Sequence, residues 1–281
     1  MTALRHTNRL RLVILDLDGV VYRGDTPVDG APELIDRLRG AGLLVRYATN
    51  NSMSTRAAYS SRLHGMGITA QPREIVTSTS ATIAHLRRHE PEVRTVLAVG
   101  AEGMVEELRS ADYGVTPAAD VATDGQTPGA DAVLVGLDPA FDDARLAAAA
   151  QEVRAGARFI ATNADARYPT PSGFLPGAGA IVAAIRDATG VEPLVIGKPE
   201  PAMFQAILEE TGVGAGQALV IGDNPDSDIR AAHRSGIESV LVLTGVTSPE
   251  AADSLVGERA PDHVVADPAA SWELVAGRIR R

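Results

Sequence analysis

The sequence predicts an α/β protein whose core is a parallel sheet built from both ends of the chain, with a middle segment inserted. The first reason is a series of short runs rich in Val, Ile and Leu: RLVILD from Arg11, LLVRYAT from Leu43, RTVLAVG from Arg94, AVLVGL from Ala132, RFIAT from Arg158, PLVIG from Pro193, ALVIGD from Ala218, SVLVLTG from Ser239 and HVVAD from His263. They are continuously apolar rather than alternating, as strands buried on both faces are. The second reason is that Ala/Leu/Arg segments at helical spacing lie between them, such as PELIDRLRGAG, TRAAYSSRLHGMG and DARLAAAAQEVRAG. Strands alternating with helices imply right-handed crossovers. The third is that dense polar motifs follow strands near both chain ends and are sparser between Glu92 and Glu192. The expected division is a core from residues 1–91 and 193–281, with residues 92–192 as a separate inserted domain.

The helices carry ordinary stops, because Gly42, Gly67, Gly156 and Gly190 each follow an apolar-periodic stretch. The chain has 281 residues, 45% hydrophobic and 22% charged, which suits one large or two modest globular domains. A formal net charge of -10 with no basic run argues against nucleic acid and anionic membranes as partners. There are no cysteines, which excludes disulfides, thiolate nucleophiles and cysteine-ligated zinc. The apolar run near the start, Leu12 to Leu15, is too short for a signal-peptide core or a membrane span, so a cytoplasmic location is expected.

Three expected strands end in polar clusters: Asp16-Leu17-Asp18-Gly19, Thr49-Asn50-Asn51-Ser52, and Gly222-Asp223-Asn224 with Asp226 and Asp228 behind it. Ligands of open parallel sheets bind beyond the carboxyl ends of the strands, so the three clusters are expected to converge on one site. Each alone also reads as a turn or a helix N-cap, since Asp, Asn, Thr and Gly are common there. Converged, they crowd several carboxylates that repel unless a cation neutralises them. Magnesium suits hard oxygen ligands, and no His/Cys cluster proposes zinc. In Asp16-Leu17-Asp18 on an extended strand the two side chains share a face, so one carboxylate can attack while the other handles a proton.

Of 26 basic residues only Lys198 is a lysine; the rest are arginine. A genome rich in G and C explains the bias but not the exception. A compact ammonium fits among crowded carboxylates and a phosphate where a planar guanidinium does not. Lys198 therefore reads as binding phosphate and holding a nucleophilic carboxylate ionised. Gly197-Lys198-Pro199 lacks the glycine loop of a Walker A sequence, and Gly177-Ala178-Gly179 is a weak dinucleotide signal better read as a helix start after Pro176. No Gly-x-Ser-x-Gly elbow and no His-Glu-x-x-His occurs.

Together DLDGVVYRG, TNNS, GKP and GDNPDSDI, in this order, resemble the four motifs of the haloacid dehalogenase superfamily of phosphatases. Their form is similar to the subfamily containing NagD, the 4-nitrophenyl phosphatases and the pyridoxal and phosphoglycolate phosphatases. The segment FIATNADARYPTPSGFLPGAGAI resembles that subfamily's cap domain. The resemblance covers nearly the whole chain and implies a Rossmann-like, doubly wound core with an inserted α/β cap. It implies Asp16 as nucleophile and magnesium ligand, Asp18 as general acid and base with its carbonyl on the metal, and Asp223 as a direct metal ligand. Asp228 would lie beyond the direct ligands, on metal-bound water or Lys198, with Asn224 beside it. Thr49, Asn50 and Asn51 would serve the phosphoryl group together with Lys198. The chain departs from the commonest forms at Val20, where threonine is frequent, and at Pro225-Asp226-Ser227, where the spacer usually ends in threonine.

The expected activity is magnesium-dependent hydrolysis of a small phosphate monoester, such as glycerol phosphate, phosphoglycolate, a sugar phosphate, a nucleotide or pyridoxal phosphate. A phosphotransferase or mutase using the same aspartyl-phosphate is the alternative within enzymes, separated by assay for free phosphate. A non-catalytic phosphometabolite-binding protein is the alternative outside them, and any turnover excludes it. A homodimer through the cap is expected by analogy.

Overall fold

The computed structural model describes residues 9–121, 129–170 and 173–280. The chain divides into two contact-dense units. The first comprises Met1–Thr49, Tyr59–Val76 and Lys198–Arg281; the second comprises Asn50–Ala58 and Thr77–Gly197.

The first unit carries a six-stranded sheet in the order His263–Val265, Glu238–Val242, Ala218–Gly222, Leu12–Asp16, Leu44–Thr49, Ile75–Thr77. From His263–Val265 across to Leu44–Thr49 every pairing is parallel. Within Leu12–Asp16, residues 12–15 are buried with no side turned to water, which is why this strand reads as continuously apolar. Val13, Leu15, Val45, Tyr47, Leu219, Ile221, Val240 and Val242 share one core cluster with Leu34, Ile35 and Leu38 of the helix Ala31–Gly40 and Val275 of the helix Ser271–Ile279. Each such aliphatic side chain contributes about 1.5–3 kcal/mol on burial. A one-residue slip of the central strand would turn that whole set to the opposite face.

The strand Leu12–Asp16 lies between Leu44–Thr49 and Ala218–Gly222. Its register pairs Asp16 with Ala48 on one side and Leu15 with Ile221 on the other. The strand order turns around at this strand, so its carboxyl end opens the crevice of a doubly wound sheet.

The second unit holds a five-stranded sheet, all pairings parallel, in the order Leu194–Val195, Arg158–Ala161, Ala132–Val135, Thr95–Val99, Gly114–Pro117. Alanines 148 and 149 of the helix Asp143–Ala155 and Ile181, Val182 and Ile185 of the helix Ala178–Thr189 pack with its Leu97, Val99, Val133 and Val135. Helix stops fall as expected: Gly156 and Gly190 close these two helices in the left-handed conformation. The strands Ile75–Thr77 and Gly114–Pro117, and the antiparallel pair Arg167–Thr170 with Gly173–Pro176, were not visible as apolar runs. Gly114-Val-Thr-Pro is a short, part-exposed edge strand bounded by Gly and Pro, and Ile75-Val-Thr runs straight into the helix Ser78–His89.

Candidate active site

The crevice of the first unit gathers Asp16, Lys198, Asp223 and Asp228. Lys198 Nζ donates to Asp16 Oδ1 and to Asp228 Oδ1, both at 2.6 Å, and to the Ala48 carbonyl at 3.2 Å. The lysine side chain is 3% exposed, Asp228 1% and Asp16 12%, so only Asp16 of the three reaches toward solvent. Burial opposes the ammonium, but Asp16 and Asp228 more than offset it and hold the pKa of Lys198 above its ordinary value. Burial raises the pKa of Asp16 well above the ordinary carboxylate value; Lys198 opposes the shift, while Asp228 and Asp223 add to it.

Asp223 follows the strand Ala218–Gly222, and a second loop fixes it. Its Oδ2 accepts the Val246 N–H at 2.8 Å, and its carbonyl accepts the Thr247 hydroxyl at 2.7 Å. Thr244 Oγ1 donates to the Gly19 carbonyl at 2.7 Å, which ties the same loop to the turn after Asp18. A Cβ at Gly245 would overlap the Asp223 carboxylate, so only glycine admits this approach. Burial, then Asp228, push the pKa of Asp223 up to about 7, against the Val246 N–H and Lys198. Asp228 lies on the wide helical turn Pro225–Ile229, whose start Asn224 caps through its side-chain oxygen on the Asp226 N–H at 2.9 Å. Asp228 Oδ2 accepts the Asn224 N–H at 3.1 Å. Asn224 thus shapes the turn that aims Asp228 at Lys198.

Donor oxygens of Asp16, Asp223 and Asp228 lie within 4.8 Å of one another. This is an all-carboxylate set whose burial and mutual repulsion raise the pKa of two members. A hard divalent cation fits it, with the Lys198 ammonium already bound by Asp16 and Asp228. The carboxylate of Asp18 is not among that group. Its Oδ2 accepts the Tyr22 hydroxyl at 3.4 Å, and the Arg62 guanidinium lies 4.3 Å from the Tyr22 ring centre. Partial desolvation of its carboxyl raises the pKa of Asp18, although the residue as a whole is exposed, and Arg62 and Tyr22 oppose the rise.

Thr49 is buried at the end of Leu44–Thr49, beside the Asp16 strand end. Asn50 and Asn51 belong to the second unit. Asn51 Oδ1 accepts the Met53 N–H at 2.8 Å, and Ser52 Oγ accepts the Leu137 N–H at 3.2 Å. The cap of the helix Arg56–Gly65 is instead Thr55, whose Oγ1 accepts the Ala58 N–H at 3.2 Å. The Thr49–Ser52 cluster therefore does not cap that helix. Asn50 donates through Nδ2 to both oxygens of Asp165, at 3.1 and 3.0 Å. A further cleft of about 500 Å³ in the second unit is lined by Glu102, Arg109, Asp120, Asp138 and Arg145, with Arg145 bound to Asp138 at 3.2 Å and Arg109 to Glu102 at 3.8 Å.

The loop Thr244–Thr247 and Tyr22 with Arg62 did not stand out in the sequence, whereas Asp165 lies within the segment quoted there for its resemblance to a cap. A signal for the first was present, because Thr244-Gly245 also follows an apolar run as a polar strand end.

A buried lysine bound to two carboxylates at the switch point of a doubly wound sheet is the arrangement the site presents. A haloacid dehalogenase-like hydrolase model matches residues 13–114, and a HAD-hydrolase-like model matches residues 195–270. The acid sugar phosphatase of Staphylococcus epidermidis is 36% identical over 237 residues, 84% of this chain and 88% of that protein. The crystal structure of a glycerol phosphate phosphatase from Mycobacterium tuberculosis in complex with magnesium is 35% identical, with a TM-score of 0.81 over 94% of this chain and 76% of that one. The 4-nitrophenylphosphatase of Thermotoga maritima is 29% identical, with a TM-score of 0.84 over 96% of this chain and 98% of that one. The chain belongs to the haloacid dehalogenase-like hydrolases and is a phosphatase of that family. Among the described residues no helix is long and apolar enough to cross a membrane.

Proposed function

We propose that this phosphatase hydrolyses small phosphate monoesters, sugar phosphates and glycerol phosphate foremost, by passing the phosphoryl group through Asp16. The observation that carries this reading is Lys198 at 2.6 Å from both Asp16 and Asp228 in a buried crevice. Burial raises the pKa of Asp16 even with Lys198 beside it; the ammonium opposes that rise and favours the ionised, nucleophilic form. The acid sugar phosphatase and glycerol phosphate phosphatase among its relatives support the substrate class.

Asp16 and Asp223 would hold magnesium, with Asp18 contributing through its carbonyl. When bound, the ion supplies charge that offsets the phosphoryl oxygens. The carboxylate of Asp16 attacks phosphorus, the P–O bond to the alcohol breaks, and Asp18 gives its proton to the departing oxygen. The raised pKa of Asp18 suits it to hold that proton. Asp18 then takes a proton from water, the water oxygen attacks phosphorus, and the bond to Asp16 breaks to release phosphate. Lys198 neutralises charge on the phosphoryl group, and Thr49 with the backbone of Asn50 orients it. Residues 92–192 would form the cap that selects the leaving group, with a homodimer through it and a cytoplasmic location as parts of the same proposal.

Asp16→Asn should abolish phosphate release in a folded protein, and chelation of divalent ions should do the same reversibly. Substantial release by Asp16→Asn would remove Asp16 from this role. A panel of monoesters ranked by kcat/KM identifies the preferred leaving group, and stoichiometric free phosphate distinguishes hydrolysis from transfer to a second alcohol.

A further inference from the structure

Asp18 is exposed, so its carboxylate has room to turn, whereas proton delivery needs it in one direction. The chain folds back to supply that direction. The turn after Leu17 is closed by the Val21 and Tyr22 N–H groups on the Leu17 carbonyl, at 2.9 and 3.1 Å, and by the Gly19 N–H on the Tyr22 carbonyl at 2.8 Å. Gly19 takes the left-handed conformation that this return requires. Tyr22 thereby comes to lie beside Asp18, and its hydroxyl donates to Asp18 Oδ2 at 3.4 Å. A hydrogen bond this long steers the carboxylate only as well as the ring that carries the hydroxyl is seated.

The ring is firmly seated. Tyr22 is fully buried, in one core cluster with Leu17, Val20 and Val21 and with Tyr59 and Leu63 of the helix Arg56–Gly65. From the same helix, Arg62 lays its guanidinium 4.3 Å from the ring centre. That guanidinium also donates to the Gly24 carbonyl at 2.6 Å and to Asp25 Oδ1 at 3.2 Å. Gly24 and Asp25 form the turn between Tyr22–Arg23 and its antiparallel partner Thr26–Pro27. Arg62 therefore grips both the ring and the hairpin turn next to it, which a planar fork of several donors can do. Asp18, Tyr22, Gly24, Asp25 and Arg62 all belong to the first unit.

We infer that Tyr22 and Arg62 are positioning residues for proton delivery: Arg62 seats the Tyr22 ring, and the Tyr22 hydroxyl aims the Asp18 carboxyl group at the departing oxygen. This rests on the reading of Asp18 as the group that protonates that oxygen while the P–O bond to the alcohol breaks. Both residues act through Asp18, so their loss falls on departure of the alcohol and not on binding of the phosphoryl group.

The test measures kcat/KM for 4-nitrophenyl, 4-chlorophenyl and phenyl phosphate with magnesium present, together with the inhibition constant of inorganic phosphate. The variants are Tyr22→Phe, Arg62→Ala, the double variant Tyr22→Phe/Arg62→Ala, and Asp18→Asn, each with its Tm. The three esters are similar in size, and kcat/KM covers the steps up to release of the phenol. 4-Nitrophenolate departs with little help from a proton, while unsubstituted phenol needs it most. Tyr22→Phe and Arg62→Ala should lower kcat/KM about tenfold or more for phenyl phosphate and about threefold or less for 4-nitrophenyl phosphate, a part of the roughly hundredfold or more that a positioned acid supplies. Phosphate inhibition should stay within about twofold of wild type, as a loss confined to the transition state predicts. The double variant should depend on the leaving group no more steeply than the worse single variant, because the two residues act in series. Tyr22→Phe keeps the ring and removes only the hydroxyl, so it reads the aim of Asp18 even if Arg62→Ala folds poorly. No loss, or an equal loss on all three esters, in folded Tyr22→Phe would overturn the inference. So would phosphate inhibition that weakens in Arg62→Ala as much as kcat/KM falls. Asp18→Asn should show the steepest dependence of all. If it does and Tyr22→Phe shows none, the positioning inference alone fails; if Asp18→Asn shows none, the role of Asp18 fails and takes the inference with it.

Discussion

Lys198 shows how one residue type is dictated by its surroundings. Its ammonium meets two carboxylates at 2.6 Å and a main-chain carbonyl at 3.2 Å, three acceptors around one buried point. A guanidinium is wider and spreads its donors in a plane, so it cannot meet this set without moving Asp16. Lys198→Arg should therefore lower kcat for 4-nitrophenyl phosphate by on the order of a hundredfold, with circular dichroism unchanged. A folded variant within a few-fold of wild type would mean the lone lysine is an accident of codon usage. Asp223 carries a second prediction. Its pKa rises from an ordinary 3.8 to about 7 in the folded, metal-free protein. Between those values the folded state retains a proton that the unfolded chain has released, so folding stability falls as pH rises through this window. In EDTA the Tm should be lower at about pH 8 than at about pH 5.5, and magnesium should raise it more at the higher pH, since metal competes with that proton. Equal magnesium-induced shifts at the two pH values would count against Asp223 as a ligand.

At the scale of elements, the site is a set of strand ends held by loops that are not themselves reactive. The loop Thr244–Thr247 holds Asp223 by a main-chain N–H and a hydroxyl, and Gly245 leaves the space that Asp223 fills. Gly245→Ala should displace that carboxylate while leaving the strand Glu238–Val242 and its buried side chains in place. The expected outcome is that half-maximal activity needs at least about tenfold more magnesium, because a ligand has moved rather than disappeared. An unchanged magnesium titration would show that the loop gives way without consequence. The turn Pro225–Ile229 works in the same manner, with Asn224 capping its start and Asp228 aimed back at Lys198.

Over the whole molecule, the two units answer to different demands. The carboxylates Asp16, Asp223 and Asp228 all belong to the first unit, as does Lys198. Magnesium should therefore slow hydrogen exchange in Leu12–Asp16 and Ala218–Gly222 and leave the strands Thr95–Val99 and Ala132–Val135 unaffected, because a ligand protects the elements whose opening would release it. Equal protection in both sheets would contradict a metal held by the first unit alone.

The sequence by itself determined the α/β class, because strands covered on both faces must be apolar throughout and announce themselves as Val/Ile/Leu runs. It marked Asp16, Lys198, Asp223 and Asp228 as well, the first and third as polar residues at the ends of such runs and the lysine as an exception to the arginine bias. It did not reveal short edge elements such as Gly114–Pro117, where two β-branched residues between Gly and Pro are too few to carry a periodic signal. Nor did it reveal pairings that join distant segments, such as Val246 to Asp223 or Asn50 to Asp165 across 115 residues. Strand identity follows from local composition, which a linear chain records. Which loop supports which carboxylate follows from sheet order and register, and those exist only once the strands have paired.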